Sequence, residues 1–236
     1  MLAIETSTLR GSIALGCGAE MLAWRPLSTE RTHTSELLPT LREMLASAGL
    51  RPADVDVLAF SHGPGSFTGL RVAATIARVW QAATGCRVVA VPTFEVIARN
   101  ALGWTPLPQH LAIIQDAKRG QLAAAVFAAH AGELRVIQEA RRVSALPWLA
   151  AVPRPCAVGG SGVSAWETAL REAELDILPE AFWQPDARQV LAVGRRLAEA
   201  GCFCAPSAIV PLYLRPPECE EVYEQRRAEA RRRRGE

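Results

Sequence analysis

The sequence predicts an α/β fold in which two mixed sheets, one in each half of the chain, are covered by helices. Three observations predict it. Short apolar runs separated by turn residues occupy the first 30 residues, which is typical of antiparallel strands. Strand and helix patterns then alternate over 50–101, which indicates parallel strands with covering helices. After a linker at 103–109, a similar order of elements returns.

The first half begins with a predicted antiparallel meander and continues with alternating helices and strands. Apolar residues at three- and four-residue spacing predict the helices, and short β-rich runs predict the strands. The predicted strands cover 2–4, 12–15, 20–24, 55–60 and 87–91. The predicted helices cover 34–48, 68–83 and 93–101.

The second half repeats strands first and α/β units afterwards. The predicted strands cover 111–115, 121–128, 133–139 and 155–158, and the predicted helices cover 163–172 and 187–200. We therefore predict an N-terminal lobe over 1–102, a C-terminal lobe over 103–217 and a charged tail over 218–236. The tail mixes six Glu with six Arg, which is typical of a charged, exposed helix or a frayed end.

Composition excludes several classes of protein. With 236 residues, half of them apolar, the chain can bury a core, so disorder is excluded for most of it. A net charge of +2 gives no reason to propose a dedicated nucleic-acid binder. No apolar run is long enough for a membrane helix, and no signal peptide is recognisable. The six cysteines form no C-x-x-C pair, so we expect free thiols and a cytoplasmic location.

The strongest local signal is a glycine loop between a predicted strand and a predicted helix. Its glycines allow close backbone approach, and the helix N-terminus offers free N–H groups to an anion. The loop matches neither a Walker A motif nor the dinucleotide fingerprint. Two interpretations stay open, an anion-binding loop and a tight turn packed against another element. The loop comprises Gly63, Pro64, Gly65, Ser66, Phe67, Thr68 and Gly69.

Polar residues at the ends of two predicted strands are weaker candidates. Glu5, Thr6 and Ser7 could face a nucleotide phosphate or a metal, or could cap a turn. Asp116 could be a general base or could belong to a hairpin turn. The histidines lack metal-ligand spacing and no nucleophile–base pair is recognisable, so we predict no metal, no cofactor and no catalytic residue.

Several segments of the sequence occur in the order they have in the TsaB (YeaZ) family, and the chain resembles that family over roughly 1–215. The matching segments are 2–8 with 12–15, 33–39, 63–71, 116–120 and 211–215. The resemblance implies an actin-like (ASKHA) fold of two lobes. It also implies a generally non-catalytic subunit that binds and activates TsaD, which makes threonylcarbamoyladenosine at position 37 of tRNA.

The resemblance implies a set of partners as well. TsaD carries the metal and the nucleotide, and the ATPase TsaE joins the larger complex. The chain is expected to form a heterodimer with TsaD or a homodimer, and to meet tRNA only through the complex. No membrane is involved. TsaD itself is longer and has two metal histidines on the helix where this chain has only His33.

Mapped onto this chain, the family's docking surface corresponds to the helices at 34–48 and 68–83. A charged residue in place of Leu41 or Met44 is expected to abolish complex formation and to leave the isolated fold intact. The candidate interface residues are Leu37, Leu38, Leu41, Met44, Leu45, Arg71, Thr75, Arg78 and Val79.

The chain departs from the family pattern at a few positions, and these departures leave alternative functions open. The family usually has Asp at the position of Glu5, an acid at that of Gln121 and an aromatic residue at that of Ala123. A stand-alone ASKHA-type ATPase or phosphotransferase, with Glu5 and Asp116 near the nucleotide, is the alternative function. A tRNA-binding role of the Arg-rich tail is a further one.

Overall fold

A computed structural model describes residues 1–28, 33–106, 108–130 and 132–214, without the side chains of 33 and 34. Its first half contains a five-stranded sheet in the order β3-β2-β1-β4-β5. The first three strands pair antiparallel, and β1, β4 and β5 run parallel, as the sequence predicts. The strands are β1 (Leu2–Glu5), β2 (Ser12–Cys17), β3 (Glu20–Pro26), β4 (Val57–Gly63) and β5 (Arg87–Pro92).

Two helices, α1 (His33–Ser47) and α2 (Phe67–Thr84), cover one face of this sheet. The core between them contains large aliphatic side chains and Phe60. α2 ends at Gly85, whose φ of 73° provides the left-handed residue that commonly terminates a helix. α3 (Thr93–Asn100) follows β5 and contacts both sheets.

The second half contains another five-stranded mixed sheet, in the order β10-β9-β6-β7-β8. Its β7–β8 hairpin is longer than the predicted pair, and the short helix α4 was not predicted. The strands are β6 (His110–Asp116), β7 (Gln121–His130), β8 (Glu133–Ser144), β9 (Cys156–Gly159) and β10 (Asp176–Ile177). The helices are α4 (Ala145–Ala151) and α5 (Val163–Glu172). Short 3-10 turns occur at Pro52–Asp54, Ala101–Gly103, Glu180–Phe182 and Pro206–Ala208.

The last α-helix of the described residues, α6 (Ala187–Glu199), returns to the first sheet and packs on the face opposite α1 and α2. Small side chains allow this approach, because a Cβ at Gly194 would lie only 2.6 Å from that of Ala59. An element from the predicted C-terminal lobe therefore helps to fill the core of the N-terminal one. The lobe boundary at residue 102 stays a prediction.

Two mixed sheets with helices on their faces confirm the predicted α/β class and the actin-like arrangement. Within the described ranges, no helix is both long and apolar enough to cross a membrane. The predicted tail at 218–236 lies outside the described residues, as does Arg215 of the C-terminal motif.

Candidate functional site

The glycine loop packs directly against the turn between β1 and β2. A Cβ at Gly69 would overlap the carbonyl oxygen of Thr6, so only glycine fits there. The Ser66 N–H donates to the Ser7 carbonyl at 2.7 Å, and the Thr6 hydroxyl donates to the Gly69 carbonyl at 2.7 Å. Of the two interpretations of this loop, these contacts favour the tightly packed turn.

The C-terminal segment closes the loop from its other side. The Leu212 N–H donates to the His62 carbonyl at 2.6 Å. Gly63 has a φ of 132°, and its Cα faces the Leu212 carbonyl so closely that a side chain would not fit. The loop is therefore held between the start of the chain and the end of its described part.

Glu5, a predicted nucleotide-proximal residue, is completely buried at the end of β1. Its carboxylate accepts hydrogen bonds from the N–H and hydroxyl of Ser7, both at 2.5 Å, and from the hydroxyl of Ser61. Burial raises the pKa of Glu5 above its ordinary value, although these hydrogen bonds act in the opposite direction. Thr6 and Ser7 are also buried. The three side chains therefore hold the turn together from inside.

Asp116 belongs to the other sheet, at the end of β6. It accepts from the Lys118 N–H at 3.0 Å and from Trp166 Nε1 at 3.4 Å, and Lys118 Nζ lies 2.9 Å from its second oxygen. Burial would raise the pKa of Asp116, but the hydrogen bonds from Lys118 and Trp166 hold it below the ordinary value. Within the described ranges no hydrogen bond joins Asp116 to Glu5, so a nucleotide site shared by the two residues stays a prediction.

The inner face of α1 requires a correction to the predicted docking surface. Four of its candidate residues pack into the core, where Leu41, for example, is 2% exposed. A charge at Leu41 or Met44 would be buried in that core, so the expectation of an intact fold was wrong. The four residues are Leu37, Leu41, Met44 and Leu45.

The remaining candidates are exposed. Leu38 on α1 is 54% exposed and Val79 on α2 is 63% exposed, and both are large apolar side chains. Arg71, Thr75 and Arg78 are exposed on α2. Between the helices lies an open groove of about 450 Å³, which we name the α1–α2 groove. Its lining residues are Leu38, Phe67, Thr68, Arg71, Val72, Thr75 and Ile76.

Two lining residues of the α1–α2 groove, Phe67 and Arg71, belong to an aromatic and cationic cluster that Tyr213 completes. The Arg71 guanidinium lies 3.9 Å from the centre of the Phe67 ring, and its Nε donates to the Tyr213 hydroxyl at 3.2 Å. The Phe67 and Tyr213 rings are 4.7 Å apart. Tyr213 was not among the predicted site residues. Tyr213 belongs to the motif at 211–215, which the sequence does identify, but only the fold shows that this motif lies beside α2.

The structure offers no group of three or more potential metal ligands among the residues it describes. Burial raises the pKa of the Cys156 thiol to about 12, so this cysteine is a core residue and not a reactive thiolate.

Comparison with known proteins gives concordant matches. Residues 24–205 match the family described as "TsaD: tRNA N6-adenosine threonylcarbamoyltransferase". The chain is 41% identical to the tRNA threonylcarbamoyladenosine biosynthesis protein TsaB of Haemophilus influenzae over 101 residues, 43% of this chain and 42% of that protein. It is 26% identical to Escherichia coli TsaB over 227 residues, 91% of this chain and 94% of that protein.

Solved structures agree with the sequence relatives. YeaZ from Pseudomonas aeruginosa superimposes with a TM-score of 0.74 at 25% identity, covering 90% of this chain and 98% of that one. A second structure is described as an uncharacterized protein with similarity to peptidase YEAZ from Pseudomonas aeruginosa. It superimposes with a TM-score of 0.74 at 26% identity, covering 91% of this chain and 98% of that one. With the family match extending over most of its length, the chain belongs to the TsaB/YeaZ family.

Proposed function

We propose that this chain is a subunit for the biosynthesis of threonylcarbamoyladenosine in tRNA, and that it acts by binding and activating TsaD without contributing a catalytic group. Its relatives carry that biosynthetic role in their names. The family match links it to a threonylcarbamoyltransferase type of protein. TsaE as a further partner, contact with tRNA only through the complex, and a cytoplasmic location belong to the same proposal.

The observation that carries this proposal is the α1–α2 groove. An exposed apolar groove on a folded chain is typical of a protein–protein interface. Its lining includes Phe67 and Arg71, which Tyr213 contacts, and aromatic residues and arginine are enriched among the residues that dominate binding energy. The exposed Leu38 and Val79 lie on the same two helices.

The burial of Glu5 supports a non-catalytic role. The carboxyl of Glu5 is completely buried and its oxygens accept hydrogen bonds from Ser7 and Ser61, which favours a structural role over contact with a nucleotide. A stand-alone ATPase or phosphotransferase would need this group open to its substrate. We expect the isolated chain to show no ATP turnover above a blank reaction. Turnover that disappears in a Glu5→Gln variant would instead favour the alternative function.

The proposal is tested by size-exclusion chromatography with light scattering of this chain and TsaD from the same organism, with and without ATP. We expect a stoichiometric complex with the wild-type chain. Leu38→Glu and Val79→Glu should each weaken the affinity at least about tenfold, because each places a charge in a desolvated apolar contact. Leu146→Glu on α4 is the matched control, since Leu146 is 65% exposed and lies on the second half of the chain.

Each outcome is distinct. If the wild type binds TsaD and the Leu38 and Val79 variants bind equally well, docking uses another face. If the wild type does not bind TsaD with or without ATP, the partner is wrong. A homodimer through the same surface would show as a mass that doubles with concentration and reverts to that of a monomer in both variants.

A further inference from the structure

The described chain ends beside the α1–α2 groove. Tyr213 stacks on Phe67 and accepts a hydrogen bond from Arg71, and both of these residues line the groove. The Leu212 N–H anchors the same segment to the His62 carbonyl at 2.6 Å. Whatever follows Leu214 therefore starts at the rim of this groove.

The residues that follow have an unusual order of charges. Four glutamates and no basic residue occupy 218–224, around the apolar pair Val222 and Tyr223. All the arginines of the predicted tail come later, within 226–234. The first part of the tail is thus an acidic segment with an apolar centre, and the second part is basic.

The groove is complementary to the acidic part. Its lining is mostly apolar and carries a single charge, that of Arg71. Arg78 is exposed further along the same helix and adds a second positive charge. An apolar floor with cations beside it suits a peptide that presents two apolar side chains between carboxylates.

The segment is long enough to reach the whole groove. Val222 follows Leu214 by eight positions, so the connection can extend about 26 Å. Along α2 the groove runs from Phe67 to Ile76, a rise of about 14 Å at 1.5 Å per residue. The tail can therefore place Val222 and Tyr223 anywhere along the groove.

We propose that residues 218–224 dock in the α1–α2 groove of their own chain, with Val222 and Tyr223 on its apolar floor and the glutamates near Arg71 and Arg78. The tail then covers the surface that we propose as the docking site of TsaD, and it competes with TsaD for that surface. The docking of the tail stands by itself, whereas the competition rests on the proposed function.

The tether makes such a contact effective even when the peptide binds weakly. A short covalent connection keeps the segment near the groove, at an effective concentration on the order of 1 mM. The tail can therefore occupy the groove in the isolated chain and still yield to a partner with a larger interface. The result is a self-covering surface that opens when the partner binds.

The first test is a disulfide cross-link in the full chain, without any partner. Cys219 lies in the acidic segment, and Thr75 lines the groove, so Thr75→Cys offers it a thiol. Mild oxidation should give a 75–219 disulfide in the monomer, mapped by mass spectrometry. Leu9→Cys is the matched control, because Leu9 is exposed and lies two residues from Ser7, on the turn that contacts the same glycine loop.

We expect the Thr75→Cys cross-link to form at least about fivefold faster than the Leu9→Cys one, since docking raises the local concentration of Cys219 in the groove. A triple variant with E218K, E220K and E221K, or a separate R78E variant, reverses the charge on one side of the contact. Either should lower the rate of the Thr75→Cys cross-link to that of the Leu9→Cys one. Equal cross-linking rates at positions 75 and 9 would overturn the proposal, because they would show that the tail has no preference for the groove. Cross-linked dimers in place of monomers would overturn it in favour of a second copy.

The competition has its own measurement. The chain with the three glutamates reversed should bind TsaD a few-fold more tightly than the wild type. Unchanged affinity, together with a strong 75–219 cross-link in the wild type, would refute the competition and leave tail docking in place. Failure of all chains to bind TsaD would refute the proposed function and would not affect the cross-linking result.

Discussion

At the scale of single residues, the burial of Glu5 is expected to make the stability of the protein depend on pH. Its pKa in the folded protein lies above the ordinary 4.5 because the carboxyl is buried. When a carboxyl group has a higher pKa in the folded state than in the unfolded state, its protonated form stabilises the folded state. This contribution is fully present below the pKa of the unfolded state, and it is lost as the pH rises through the pKa of the folded state. We therefore predict that Glu5→Gln, which keeps an acceptor for Ser7, removes this loss and is more stable than the wild type at pH 8.

The measurement is the free energy of urea unfolding between pH 4 and pH 8. The two proteins should differ least at the acid end and most at the alkaline end. Glu20→Gln is the control, because Glu20 is exposed and should leave the pH profile of the wild type unchanged. A Glu5→Gln profile parallel to that of the wild type would show that Glu5 does not titrate differently in the two states.

At the scale of elements, the start of α2 is defined by its contact with the β1–β2 turn. Alanine favours helix over glycine by about 1 kcal/mol, so helix propensity alone predicts that Gly69→Ala stabilises α2. The Cβ would overlap the Thr6 carbonyl, so we predict instead a loss of about 3 kcal/mol in the free energy of unfolding.

Denaturant unfolding measures this difference, and Gly103→Ala is its control. A Cβ at Gly103 would have only an ordinary contact with Phe182 at 3.8 Å, so its effect should stay within about 0.5 kcal/mol. A neutral or stabilising Gly69→Ala would mean that the loop and the turn can separate at little cost.

At the scale of the whole molecule, the first sheet depends on a helix from the far end of the chain. α6 covers the face formed by small residues such as Ala3, Ala14 and Val89. A fragment of residues 1–102 would expose this apolar face to water, so we predict that it does not fold stably alone.

Circular dichroism and dye binding of the isolated fragment test this prediction. Co-expression with residues 103–236 should restore a folded complex, because that fragment supplies α6. A fragment 1–102 that melts cooperatively at the temperature of the full chain would show that α6 is dispensable for the first half.

Much of the fold can be predicted from the sequence alone, because local patterns of apolar residues determine which segments form strands and helices. Alternating apolar runs predict the meander β1–β3, and three- and four-residue spacing predicts α1 and α2 close to their observed bounds. The glycine loop at 63–69 is also visible in the sequence, since glycines between a strand and a helix mark close backbone approach. α4 was missed, because seven residues are too short for a helical period to stand out.

The direction of each apolar side chain was decided only by the tertiary structure. Spacing placed Leu38 and Leu41 on one helix, but packing on the sheet buries Leu41 and leaves Leu38 in the groove. The same holds for Tyr213 and α6, which are distant in sequence from the elements they contact. Local periodicity determines which segments are helices and strands, whereas contacts between distant segments depend on how the two sheets are assembled.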